Sequence, residues 1–167
     1  EMVQNPAKIL EHQLDYWGKS VKHFVEAQQV IVAPGSKALL FGLIMALDAE
    51  LILPTPSWVS YGPQARLIGK PVHYIPSSIS DEYALTFDAL DATLQKTHSD
   101  YKVMVINSPN NPTGLMFEPA FLQELAEYCR KNRIIVISDE IYGLVPHGRQ
   151  AHRSLASYYP EGTIVVG

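Results

Sequence analysis

Asp139 follows an apolar run, Ile134–Ile137, and Tyr142 lies three residues further on; Asn111 sits in Asn107-Ser-Pro-Asn-Asn-Pro-Thr-Gly114, which ends a second run, Lys102–Ile106. A carboxylate at the end of a buried strand can hold a protonated ring nitrogen opposite it. The Asn111 carboxamide and the Tyr142 phenol can both donate to an oxygen of the same ligand. Trp58, in Pro56-Ser-Trp-Val-Ser-Tyr61, offers a flat face for stacking an aromatic ring. Gly35, Ser36 and Lys37 stand where a strand gives way to a helix, so their amides are unsatisfied donors suited to a phosphate. Each feature also has a plain structural reading: an ordinary strand-to-helix turn capped near Ser36, a core or interface tryptophan, an Asn-Pro turn, and an Asp139 N-cap for residues 141–143.

Those residues matter together only if the chain brings them to one edge. Apolar positions at Ala7, Leu10, Leu14 and Trp17 predict an opening helix that stops at Gly18. The pattern then predicts a short strand Gln29–Ala33, a helix from Ser36 to about Asp48, strand Leu51–Leu53, a helix near Trp58–Ile68 and strand Val72–Ile75. It continues with a helix near Phe87–Gln95, strand Lys102–Ile106, helix Pro119–Asn132, strand Ile134–Ser138 and a last strand Thr163–Val166. Residues 77–83 and 145–154 read as surface loops. Strands alternating with helices imply right-handed crossovers and a three-layer α/β/α fold with a mostly parallel central sheet. In such a sheet, ligands bind outside the carboxyl ends of the strands, where all the polar clusters above fall.

The 167 residues, 47% hydrophobic, suffice for one buried core. The net charge of −4 is dispersed, with no basic stripe, which argues against nucleic acid as a partner. No apolar run approaches the roughly 20 residues that span a bilayer. The opening Glu1-Met-Val-Gln-Asn-Pro6 lacks a basic segment ahead of an apolar one, so a soluble, cytoplasmic chain without a retained signal peptide is expected. The single cysteine, Cys129, shares a helix face with Leu122 and Leu125 and reads as core. The six histidines show no ligand spacing; His147 and His152 fall in a loop, where solvated or capping roles are expected, and no metal site is predicted. Gly18-Lys19-Ser20 ends like a nucleotide-binding loop, but Gln13 replaces its leading glycine and a helix precedes it. Glu140 reads as a packing or polar contact.

Taken together, the Pro34-Gly-Ser-Lys37 turn, Pro56-Ser-Trp-Val-Ser-Tyr61, Asn110-Asn-Pro-Thr-Gly114 and Ser138-Asp-Glu-Ile-Tyr142 resemble the class I/II aminotransferases, fold-type I enzymes dependent on pyridoxal 5'-phosphate. The resemblance implies that residues 1–167 are part of the large, cofactor-binding domain. It places Gly35, Ser36 and Lys37 at the cofactor phosphate, Trp58 against its ring, Asn111 and Tyr142 at the ring hydroxyl oxygen, and Asp139 at the ring nitrogen, with Asp139 and Tyr142 serving catalysis. It implies a bond before Pro112 that is often cis. The Schiff-base lysine of such enzymes follows the strand matching Thr163–Val166, so that segment and the small domain are expected outside this chain, which alone should be inactive. The implied activity moves an amino group between an amino acid and a 2-oxo acid, in a homodimer, for which Trp17 and Tyr61 are candidate surface residues. A lyase of the same fold and a noncatalytic remnant are the alternatives.

Overall fold

A computed structural model of the chain describes residues 29–145 and 151–167. The predicted opening helix, with Trp17, lies outside the described residues, as does His147. The elements run α1 (Ser36–Ala46), β1 (Glu50–Pro54), α2 (Tyr61–Leu67), β2 (Val72–Ile75), α3 (Phe87–Leu94), β3 (Lys102–Asn107), α4 (Pro119–Asn132), β4 (Ile134–Asp139) and β5 (Thr163–Val166). The five strands form one sheet in the order β2-β1-β3-β4-β5, with every pairing parallel. In this doubly wound order the chain first steps outward from β1 to β2 and then returns to the other side of β1. The topological switch point therefore lies between β1 and β3, the place where such sheets open a crevice at their carboxyl ends.

Side-chain alternation along the strands sorts the molecule into two cores. Ile134 and Val136 of β4 pack with Met104 and Ile106 of β3 against Leu122, Leu125, Ala126 and Cys129 of α4 and Leu90 of α3. Ile135 and Ile137, one residue out of phase, face Val103, Val105, Leu40 and Ile44 of α1, and Tyr61 and Ala65 of α2. Asp139 continues the second set. Its neighbours Ser138 and Glu140 fall on the first face, a division that decides their separate roles.

Helix α4 shows why the pattern was readable. Pro119 occupies the first turn, where its missing N–H costs nothing, and buried positions recur at Leu122, Leu125, Ala126 and Cys129. Burial pushes the Cys129 thiol up to about 12, which leaves it a packing group without nucleophilic character.

Three expectations need correction. Residues 29–33 form no strand: Ile31 and Val32 are 75% and 46% exposed, and the amide of Gly35 closes a turn on the carbonyl of Ala33 instead. Among the described residues, the apolar triplet has no neighbouring strand to complete its ladder. The helix expected from Trp58 begins at Tyr61, after the two-proline turn at Pro54 and Pro56. Strand β4 runs one residue further than expected, because Asp139 still pairs with Asn107 on one side and Val166 on the other.

At the opposite, amino edge of the sheet, Glu50 gathers the amides of His98 and Ser99 and the ring of His73, whose Nε2 lies 2.6 Å away. Burial works to raise this carboxyl, but those hydrogen bonds outweigh it and hold Glu50 below the usual carboxylate range. A depressed carboxyl contributes stability that is present above its unfolded value and is lost as pH falls through the folded one. Glu50→Gln is therefore expected to cost about 1–2 kcal/mol at neutral pH and progressively less as pH falls below about 4. Urea unfolding at pH 7 and pH 3 checks this; an equal deficit at both would show that the charge is not involved.

Candidate active site

Strand β4 ends by placing Asp139 in the interior, only 4% exposed, on the face covered by α1 and α2. Its Oδ2 accepts a 2.6 Å hydrogen bond from the Tyr61 hydroxyl, and its Oδ1 accepts one from the Ile141 amide at 3.3 Å. Burial pushes the carboxyl up, the bonds from Tyr61 and Ile141 pull it down, and the nearby Glu140 charge adds to the rise; the net direction is upward. Tyr61 is driven up as well, by burial and by the Asp139 charge, so its hydroxyl keeps its proton and remains a donor. Tyr61 is 1% exposed, which corrects its expected place at a surface.

Trp58 meets Tyr61 edge to face, with ring centroids 5.3 Å apart and planes at 76°. The Lys37 Nζ lies 5.7 Å from the Trp58 ring centroid, a cation over an aromatic face, and Gln64 Nε2 donates to the Lys37 carbonyl at 3.1 Å. Contacts therefore run from the start of α1 through Trp58 and Tyr61 to Asp139. Gly35 and Ser36 join this line through Lys37. Gly35, the residue before α1, has φ 102° and ψ 144°, a conformation that favours glycine; Ser36 is the first helical residue, so the predicted serine cap is a glycine instead. Among the described residues no side chain caps this helix start, and no acidic residue occupies its first turn, so no described group claims its amides and no carboxylate in that turn repels an anion.

Asn111 and Tyr142 form a second group, lining a cleft of about 350 Å³ with Asn110, Met116 and Val145. Asn107 joins the two groups. Its Nδ2 donates to the Asp139 carbonyl at 2.9 Å, and its Oδ1 accepts the Asn111 amide at 2.6 Å, so one buried carboxamide sets the 108–114 loop against the end of β4. Within that loop the bond before Pro112 is cis, as are those before Pro56 and Pro109, and Gly114 takes φ 73°.

The predicted residues thus meet at one edge of the sheet, as two adjoining groups bridged by Asn107. A family model described as aminotransferase class I and II matches residues 6–167. The chain belongs to this family. Among its relatives, an aspartate aminotransferase of Bacillus subtilis (strain 168) is 39% identical over 146 residues, covering 83% of this chain and 36% of that protein. One from Geobacillus stearothermophilus is 34% identical over 139 residues, covering 81% and 35%. The solved structure of Thermus thermophilus aspartate aminotransferase with maleate superimposes with a TM-score of 0.83 at 28% identity, covering 94% of this chain and 41% of that one. An aromatic aminotransferase from Pyrococcus horikoshii gives 0.80 at 32%, covering 94% and 43%. The chain spans little more than a third of the length of the curated relatives it matches.

Within this aminotransferase fold, Tyr61 and Asn107 are the site residues that sequence reasoning passed over. Tyr61 stands three positions after Trp58, a spacing that puts both at one helix start, but its partner is 78 residues away across the sheet. His152 is a further correction. It is not solvated: its side chain is 4% exposed and its Nε2 lies 2.6 Å from Glu140 Oε2. Among the described residues no group of three or more His, Cys, Asp or Glu side chains could hold a metal ion.

Proposed function

We propose that residues 1–167 belong to the large domain of a longer, pyridoxal-phosphate-dependent aminotransferase that moves an amino group between an amino acid and a 2-oxo acid. Asp139 carries the reading: a buried carboxylate at the carboxyl end of β4, oriented by a tyrosine that also touches the Trp58 ring. The donor set suits an aromatic ligand bearing a phosphate. The start of α1, uncapped by any described side chain and carrying Lys37, suits the anion; Trp58 offers the ring face; Asp139 offers the carboxylate that a protonated ring nitrogen needs.

When bound, the cofactor supplies an electron sink for the pair left behind when the substrate loses its Cα proton. Asp139 would hold a proton on the ring nitrogen; the burial that raises its carboxyl also strengthens its attraction to a cation. Asn111 and Tyr142, which both line the cleft, would hold the ring hydroxyl oxygen. Lys37 serves the phosphate, and the lysine that carries the substrate proton comes from another segment of the protein.

The names of the relatives make aspartate the first amino donor to try. A homodimer is part of this reading, supported by the exposed apolar side chains of Met45 on α1, Val59 next to Trp58, and Leu67 at the end of α2. A cytoplasmic location is the other part; no described helix is long and apolar enough to cross a membrane. The test supplies the complete protein with pyridoxal phosphate, aspartate and a 2-oxo acid. The expected result is amino transfer without net ammonia release. Given an S-alkyl cysteine instead, release of the thiol with ammonia and pyruvate would identify a lyase, and failure to take up the cofactor would end the proposal.

A further inference from the structure

Behind Asp139, on the opposite face of the sheet, Glu140 is buried and fully supplied with donors. Its side chain is 0% exposed; Oε1 accepts the hydroxyls of Ser138 at 2.8 Å and Ser154 at 2.7 Å, and Oε2 meets His152 Nε2 at 2.6 Å. Its main chain is held too. The Glu140 amide donates to the Val166 carbonyl at 2.7 Å, and its carbonyl accepts the Gly143 amide at 2.7 Å, closing the turn that carries Tyr142. His152 Nδ1 is buried with no hydrogen-bond partner among the described residues, so the ring's polar anchoring rests on Glu140.

A packing role does not require this arrangement. Taking a carboxylate out of water costs several kcal/mol, and a buried ion pair replaced by apolar side chains of similar volume is often no less stable. What a satisfied polar cluster adds is direction, because its bonds fix one orientation of the chain that bears them. Here that chain is the 139–142 arm, which carries both Asp139 and Tyr142.

We infer that Glu140, tied to His152 and Ser154, is a positioning residue that sets where Asp139 and Tyr142 point, an inference that rests on the aminotransferase reading for its consequence in the reaction. The cluster touches neither the cleft nor the Tyr61 side of Asp139. It works from behind, by pinning the backbone on both sides of Glu140 while Asp139 projects the other way.

The experiment compares Glu140→Gln, and Glu140→Met combined with His152→Leu, with the unaltered holoenzyme. Hydrogen exchange reads the arm without reference to the cofactor, through the amides of Ile141, Gly143 and Val145, which bond to Asp139 Oδ1, the Glu140 carbonyl and the Tyr142 carbonyl. These amides are expected to exchange about tenfold faster in both variants, while the β-core amides of Val105 and Ile137 keep their protection. In the holoenzyme, kcat falls by about tenfold to a hundredfold with KM changed less than about threefold, since small misplacements act on the reacting geometry more than on binding. The visible circular dichroism of the bound cofactor changes with it. The apolar pair variant separates the two roles: it is expected to stay folded, with a melting temperature lowered because the buried Ser138 and Ser154 hydroxyls lose their acceptor, and still to show the loose arm over a protected core and the reduced kcat. Unchanged arm exchange, or arm and core amides loosening together, would overturn the inference, as would a stable apolar variant with full kcat. If the unaltered protein takes up no cofactor, the functional proposal fails, and the exchange data still decide whether Glu140 holds the arm.

Discussion

Replacing Asp139 with asparagine is expected to lower kcat by about a thousandfold while leaving cofactor uptake within about tenfold of the unaltered protein. Two unit charges about 4 Å apart at an effective dielectric near 20 attract by roughly 4 kcal/mol, and each 1.36 kcal/mol is a factor of ten in rate. Uptake changes less because the phosphate end is held elsewhere, at the start of α1. Asparagine keeps the volume of the side chain and an oxygen to accept the Tyr61 hydroxyl, so the buried phenol stays satisfied. Asp139→Ala removes the acceptor as well. It should show the same loss of kcat with an added loss of stability. Single-turnover rates, cofactor titrations and thermal melts on the two variants separate charge from packing. Turnover near the unaltered level in the asparagine variant would remove Asp139 from the reaction.

Why this carboxylate could be singled out from sequence, while its surroundings could not, follows from the range of the forces involved. The ranges of β2, α4 and β5 coincide with those expected because each rests on a local pattern: a short run of β-branched and aromatic residues, or apolar residues every three to four positions after a proline start. The strand ends and helix starts that present Gly35, Trp58, Asn111 and Asp139 inherit their positions from that same pattern. Residues 29–33 show where local pattern fails, since an apolar triplet becomes a strand only beside a partner. His152 was misread for the same reason. A histidine in a loop looks solvated until the fold brings it against Glu140, whose own burial depends on strand parity beyond Ser138. Tyr61 and Asn107 gain their roles from contacts made across the sheet, to Asp139 in both cases, and neither motif spells out that meeting.

That meeting makes a second large effect measurable. Tyr61→Phe removes one hydroxyl and leaves the ring to pack against Trp58, so the fold should tolerate it with a small change in melting temperature. For Asp139 the change is not small. Burial raises its carboxyl, and the Tyr61 bond is the strongest of the contacts that oppose the rise. Without it the carboxyl moves further up, so it takes a proton at a higher pH than before. A protonated Asp139 cannot hold the ring nitrogen's proton, and the acid limb of the kcat/KM profile is therefore expected to shift to higher pH. A hydrogen bond to a charged group contributes about 1.5–3 kcal/mol, which bounds the loss of rate at between about tenfold and a hundredfold. The alternative is that Tyr61 only fills space beneath Trp58, in which case phenylalanine would leave the pH profile where it was. Combining Tyr61→Phe with Asp139→Asn distinguishes the two cases: if the hydroxyl acts through the carboxylate, it adds almost nothing once the charge is gone, and if the two losses multiply, Tyr61 acts on its own account.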